Sequence, residues 1–287
     1  IVSNSQPEWK LTRSTRPLEL ALRVGWYILK NRLRGRKRFP MVTMLEPLEM
    51  CNLSCIGCGR IHEYRSVMDK MMPVDEALAA VERSGAPIVS IAGGEPTIHP
   101  KIHEIINELV HRKYFVYCCT NALLLERVLK RVPPSKYFSW VIHMDGMETK
   151  HDESVARKGV FQKAIKGIRV ALDQGYRVCT NTTIFKGSDV DDLQELFHTM
   201  TDMGVEGAML SPGYDFEAAP NQDIFLTRKE STRVFQKILD PSNLSDGSIS
   251  SLPLVKYPTF NFFFTSTFFF PTAAIKFILV ESIFSPL

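Results

Sequence analysis

The sequence predicts an α/β fold of six βα units, arranged as a parallel sheet or a barrel, on three observations. From residue 42 onward, short runs rich in Val, Ile, Thr and aromatics alternate with runs whose apolar residues recur at helical spacing. Pro73 and Pro100 stand where two of the helical runs begin, a position at which a missing N–H costs nothing. Glycine and small polar residues gather where the strand-like runs end. Such alternation gives parallel strands joined by crossover helices. Six units are two fewer than a closed eight-stranded barrel needs.

Taken in order, the first element is an amphipathic helix over Leu18 to Leu33, with apolar residues at 18, 21, 22, 28, 29 and 33 and Arg23, Lys30 and Arg34 on another side. The first strand is V-T-M-L-E (42–46), followed by I-V-S-I-A (88–92), F-V-Y-C-C (115–119), W-V-I-H-M (140–144), R-V-C-T-N-T-T-I (177–184) and G-A-M-L-S (207–211). Helices are expected over Pro73 to Ser84, Pro100 to Lys113, Ala122 to Arg131, Phe161 to Gln174 and Val190 to Met203. Three regions result: a basic helical segment (1–40), the α/β core (41–239) and a tail (240–287) holding half of the 18 Phe residues. Pro271, Lys276 and Glu281 interrupt that tail, which argues against a membrane span. A divergent or artefactual end outside the folded core is the preferred reading.

Composition sets the class. A chain of 287 residues with 45% apolar content can bury a real core. Six cysteines without a secretory signal imply a reducing compartment, so the expected location is the cytoplasm. The net charge of +4 hides a balance of +8 within residues 1–40, where ten Lys/Arg face two Glu. Arg34, Arg36, Lys37 and Arg38 close the first helix, which suits either a helix packed on the core with a solvated basic end or peripheral contact with an anionic membrane. No recognition motif accompanies the charge, so nucleic acid is not an expected partner.

The strand ends carry the chemistry. G-G-E-P (93–96), T-N-A (120–122), D-G (145–146) and S-P-G-Y (211–214) should converge on one mouth, because parallel α/β folds bind ligands at the carboxyl ends of their strands. Directly after the first strand comes C-N-L-S-C-I-G-C, three cysteines spaced C-x3-C-x2-C. With His62 they form a possible Cys3His zinc knot. Alternatively, three thiolates hold a four-iron cubane and leave one iron open to a small molecule. The position after a strand of a βα series favours the cubane.

The three-cysteine motif together with G-G-E-P resembles the signature of the radical S-adenosylmethionine (SAM) superfamily, whose fold is a partial (βα)6 TIM-like barrel. The resemblance implies that Cys51, Cys55 and Cys58 ligate a [4Fe-4S] cluster whose open iron is chelated by SAM. It implies that Gly93, Gly94, Glu95 and Pro96 line the methionine amino group, the glycines by close backbone approach and Glu95 by complementing the ammonium. Thr120, Asn121, His143, Asp145, Asn181 and Thr183 become candidates to hold the SAM ribose or carboxylate; capping a helix or a turn is the commoner use of such residues. Gly57 stands where the family often has an aromatic near the adenine.

The longer strings L-E-P-L-E-M-C-N-L-S-C-I-G-C-G-R, F-V-Y-C-C-T-N-A-L-L-L and S-P-G-Y-D-F-E-A-A-P are similar to those of the hopanoid-biosynthesis radical SAM proteins, the adenosylhopane synthases. That likeness implies a transferase that adds the 5'-deoxyadenosyl radical to the alkene of diploptene, a polycyclic membrane lipid. A flavodoxin or ferredoxin would supply the electron. Cys119 is then the candidate hydrogen-atom donor that quenches the carbon radical, while Cys118 and Cys179 are expected to be core. Two other functions remain open: hydrogen abstraction from a peptide or small metabolite, and a non-catalytic metal-binding relic.

Overall fold

The computed structural model describes residues 16–213, 219, 221–238 and 275–279, with the backbone alone for residues 16, 17, 61, 62 and 275–279. Helix α1 (Arg16–Leu33) leads into β1 (Pro40–Leu45), and the cysteine loop follows. The chain continues as α2 (Arg60–Glu63), α3 (Val74–Ser84), β2 (Ile88–Ile91), α4 (Ile102–His111), β3 (Phe115–Thr120), α5 (Leu125–Leu129) and β4 (Phe138–His143). It is completed by α6 (Glu148–Ser154), α7 (Val160–Asp173), β5 (Val178–Ile184), α8 (Val190–Asp202), β6 (Ala208–Pro212), α9 (Arg228–Ile238) and β7 (Ile275–Leu279).

Strands β1 to β6 lie side by side in sequence order, all parallel, as a curled half-barrel. All six expected strands form, with ends within two residues of those expected. Strand β7 adds to the open edge of β1 in antiparallel register, so five residues of the Phe-rich tail join the sheet. The rest of that tail, like residues 1–15, lies outside the described residues. No helix among the described residues is long and apolar enough to cross a membrane.

Alternation along the strands separates two faces. Leu45, Val89, Ile91, Val116, Cys118 and Trp140 are buried in the core under the helices. Cys119, His143, Asn181 and Thr183 fall on the other, concave side. Cys118 is core, as expected. Cys179 is not: it sits half-buried opposite Val141, which is itself opposite Cys119, so parity along β5 puts it on the concave face.

One helix is shorter than its sequence pattern. The run from Ala122 becomes helical only at Leu125 because Ala122 has φ +64°, in the left-handed region. Thr120 Oγ1 accepts from the Ala122 N–H at 3.1 Å and Asn121 Oδ1 from the Leu123 N–H at 3.1 Å, offering the backbone a turn instead of a helix.

Helix α1 crosses the amino ends of the strands. Tyr27 Oη donates to the Pro40 carbonyl at 2.7 Å, and Arg23 donates to the Lys113 carbonyl at 2.8 Å while stacking 5.4 Å from the Tyr137 ring. Tyr137 Oη donates to Glu19 at 2.6 Å. Pro40 opens β1, Lys113 lies two residues before β3 and Tyr137 immediately precedes β4, so the helix occupies the end of the barrel opposite the cysteines.

Candidate active site at the carboxyl ends of the strands

The cysteine loop is fixed from several directions. The Ile56 N–H donates to the Ser154 carbonyl at 2.9 Å, and the N–H groups of Gly94 and Glu95 donate to the carbonyls of Leu48 and Met50 at 3.0 and 2.8 Å. Beneath it, Leu53, Val155 and Val160 form a small dry cluster against which Cys51 and Cys55 pack. After Cys58, Arg60 turns back to pair with Glu46 at 2.9 Å and with Glu49, both buried acids. This clamp ties the end of the loop to the end of β1. Two acids in the otherwise apolar string L-E-P-L-E are the sequence signal for it.

Burial pushes the Cys51 thiol up to about 11, helped by the charges of Glu95 and Cys58. Burial also raises Cys55, with Cys58, Cys51 and Asp145 adding to the effect. Cys51 and Cys55 thus resist ionisation beside Cys58, and a bound cation would favour the thiolates, because metal ligands must lose their protons. Among the described residues, no group of three His, Cys, Asp or Glu is arranged to hold a single metal ion. The His62 side chain lies outside the described residues. Cys51, Cys55 and Cys58 lie near enough to interact electrostatically, and three thiol donors from one loop are the chemistry a cubane takes as ligands.

G-G-E-P packs against this loop in a way the sequence did not reveal. Gly93 has φ +107°, and a Cβ there would stand 2.5 Å from the Leu48 carbonyl oxygen. A Cβ on Gly94 would collide with the carbonyl oxygens of both Met50 and Glu49. The close approach that these glycines permit is therefore to the cysteine loop's own backbone.

Glu95 also differs from expectation. Its buried carboxylate accepts from Thr97 N at 3.0 Å, Thr120 Oγ1 at 2.6 Å and Asn121 N at 2.8 Å. Burial raises its pKa against the pull of those donors. With both oxygens engaged, Glu95 joins β2 to β3, and an ammonium would find the nearby backbone rather than a free carboxylate. Thr120 is used in the same junction. Asn121 extends it: its Nδ2 donates to Asn52 Oδ1 at 2.7 Å and lies 4.0 Å from Cys51 Sγ.

Asp145 is a second hub. His143 Nε2 lies 2.9 Å from its Oδ2, Ser154 Oγ donates to the same oxygen, and Thr183 N donates to Oδ1 at 2.8 Å. Burial alone would raise the Asp145 carboxyl, but His143 and these donors hold it below the usual range. Burial likewise opposes the charge on His143, and Asp145 more than offsets it, so that imidazole is raised. His151, behind the pair, accepts from the Asp145 N–H at 3.2 Å and is pulled down to about 4 by burial and by His143. Ser154 and His151 went unforeseen because they join the hub from α6, a short polar helix without apolar periodicity. Asn181 is different: its Oδ1 is buried without a hydrogen-bond partner on the concave face, and is available to a ligand.

Space beside Gly57 is filled from elsewhere. The ring of Phe185, just past β5, occupies the position a Gly57 side chain would take and also lies 2.5 Å from where a Gly213 Cβ would be. It packs 6.0 Å from the Phe225 ring. An aromatic thus stands at this spot, delivered by a different strand. Of S-P-G-Y, Tyr214 lies outside the described residues. Cys119, half-buried two strands from Cys179, has its thiol raised to about 11 by burial, with Ser90 as its hydrogen-bond partner.

A family model described as the Radical SAM superfamily matches residues 45–200, more than half of the chain, from the end of β1 through most of α8. The chain belongs to the radical SAM superfamily. Members of this superfamily use a [4Fe-4S] cluster and SAM. Fe-coproporphyrin III synthase of Methanosarcina barkeri is 25% identical over 155 residues, 51% of this chain and 37% of that protein. GTP 3',8-cyclase of Petrotoga mobilis is 27% identical over 164 residues, 54% of this chain and 50% of that protein. The chain thus spans half or less of these curated relatives. The crystal structure of Streptococcus suis SuiB bound to S-adenosylmethionine superposes with a TM-score of 0.63 at 18% identity, covering 81% of this chain and 55% of that one. That likeness concerns the fold.

Proposed function

We propose that Cys51, Cys55 and Cys58 hold the [4Fe-4S] cluster and that this radical SAM enzyme transfers the 5'-deoxyadenosyl group to the alkene of diploptene, forming adenosylhopane. When bound, the cluster and SAM supply a primary carbon radical by one-electron reductive cleavage, the electron coming from a flavodoxin or ferredoxin. The backbone of Gly93, Gly94 and Pro96 borders the methionine end, while Asn181 Oδ1 and the His143 edge face the nucleoside on the concave wall. Glu95, Thr120, Asn121, Asp145 and Thr183 position these groups through the two hubs.

The observation that carries the transferase reading is Cys119. Addition to a terminal alkene leaves a tertiary carbon radical that needs a hydrogen atom. Cys119 is held as the neutral thiol on the concave face, the form able to donate one. Its S–H bond breaks, a C–H bond forms, and the resulting thiyl is restored by one further electron and a proton from the same class of donor. The reading places the enzyme in the cytoplasm, at the membrane that holds its substrate.

Anaerobic reconstitution with iron, sulfide, SAM, reductant and diploptene should yield an adenosylated hopane by mass spectrometry. Cys119→Ser should still consume SAM yet lose the saturated product, and a normal yield would remove the assignment. The relative named GTP 3',8-cyclase supports the runner-up, a small metabolite as substrate. Release of free 5'-deoxyadenosine without an adduct would favour it. About one zinc per chain, without iron or sulfide, would reject both.

A further inference from the structure

Helix α1 has two faces with opposite character. The inner one docks on the barrel through Glu19, Arg23, Tyr27 and the buried Asn31. The outer one carries Leu18, Leu22, Trp26, Leu29 and Leu33, of which Leu18, Leu22, Trp26 and Leu33 are 64%, 65%, 63% and 76% exposed. Their spacing puts them in one stripe along the helix. A row of large apolar residues facing solvent beside a docked face is not a requirement of the fold. From Lys30 to Arg38 the chain then presents six Lys/Arg and no acid, all of them exposed.

We propose that this face seats the protein on an anionic lipid bilayer, with the mouth of the barrel turned away from the membrane. An apolar stripe with an aromatic and a cationic end is the chemistry of an interfacial helix: the leucines and Trp26 enter the acyl boundary and the basic end meets the phosphates. A second copy of the chain fits less well, because mirrored cationic ends have no acidic counterpart along the stripe. The orientation follows from topology. Helix α1 touches Pro40, Lys113 and Tyr137 at the amino ends of the strands, and the cysteines follow the carboxyl end of β1. Strands of six residues separate the two ends by roughly 20 Å. A lipid substrate must therefore leave the bilayer plane to reach the cluster. The docking itself rests on α1 alone and holds whether or not the substrate is diploptene.

The test uses the cluster-loaded full chain with vesicles of phosphatidylcholine, with and without phosphatidylglycerol. Flotation should show binding to the anionic vesicles that weakens several-fold with added salt, and the double variant Leu22→Ser, Leu29→Ser should bind roughly tenfold more weakly. Hydrogen exchange should slow on the vesicles within residues 16–38 and stay unchanged around residues 51–58 and 185–188. Unchanged binding by the double variant, equal binding to neutral vesicles, or protection at the mouth would overturn the proposal. So would a concentration-dependent dimer in sedimentation that the double variant abolishes, which would make a second copy the occupant.

Discussion

At the carboxyl ends of the strands, charged side chains are buried and bonded to one another: Glu95 to Thr120 and Asn121, Asp145 to His143, Ser154 and Thr183, Arg60 to Glu46 and Glu49. At the amino ends, α1 holds four large apolar side chains more than 60% exposed. Each end inverts the ordinary rule of polar outside and apolar inside. The mouth tolerates the inversion because every buried carboxylate there has donors, so its geometry is rigid and its groups are few in number for a ligand. The opposite end gains nothing internal from its exposed leucines, so their use lies outside the molecule. Side chains at the mouth should therefore be costly to change, and those along α1 cheap.

The largest effect should come from Glu95→Ala, which strands the N–H groups of Thr97 and Asn121 and the Thr120 hydroxyl in a buried junction. A loss on the order of 3–5 kcal/mol is expected in urea denaturation, with release of the cysteine loop. A loss below about 1 kcal/mol would mean that the hub is not a unit. Next, Gly94→Ala drives a methyl group into the carbonyls of Met50 and Glu49, where backbone must move. We expect about 2 kcal/mol of destabilisation and a fall in iron bound per chain after reconstitution, since the same backbone carries Cys51.

The pH response is the third test. His151 has a folded pKa near 4, below its ordinary value of 6.5, so the unfolded chain takes the proton first and stability is lost as pH falls from about 6.5 toward 4. Asp145, depressed, contributes above its ordinary range and loses that contribution only in stronger acid. His143, raised, contributes below 6.5 and loses its contribution as pH rises past its folded value. Replacing His151 by Gln keeps an acceptor for the Asp145 N–H without a titrating ring. Between pH 7 and pH 5 the parent protein should lose about 2 kcal/mol more than this variant in denaturant melts. Parallel losses would show that His151 titrates normally. The smallest effect belongs to Leu22→Ser with Leu29→Ser, expected within about 0.5 kcal/mol of the parent protein in the absence of lipid. A larger loss would show that the stripe stabilises the fold after all.

The strands and the cysteine loop were legible because hydrophobic alternation and ligand spacing are local properties of sequence. The junctions at the mouth were not. Nothing near Asp145 announces that Ser154 will reach it across a turn and a short helix, or that Asn52 will accept from Asn121, 69 residues away. The helix after β3 is shorter than its apolar pattern because Ala122 carries a left-handed backbone, supported by the side chains of Thr120 and Asn121 and not by any glycine. Residue type alone points Cys179 to the core, whereas strand parity puts it on the open face beside the wall that holds Cys119. The glycines of G-G-E-P permit close approach, and the backbone they admit in this structure is the protein's own cysteine loop.

Phe185 and Gly57 share one volume, although 128 positions of sequence separate them. Bulk can stand there from either residue but not from both, which makes the two positions interdependent under mutation. Descendants of this sequence could exchange them only through an intermediate that is either crowded or hollow. Gly57→Tyr should fail alone and be tolerated together with Phe185→Gly, so the aromatic wall of the mouth can be inherited from two different strands.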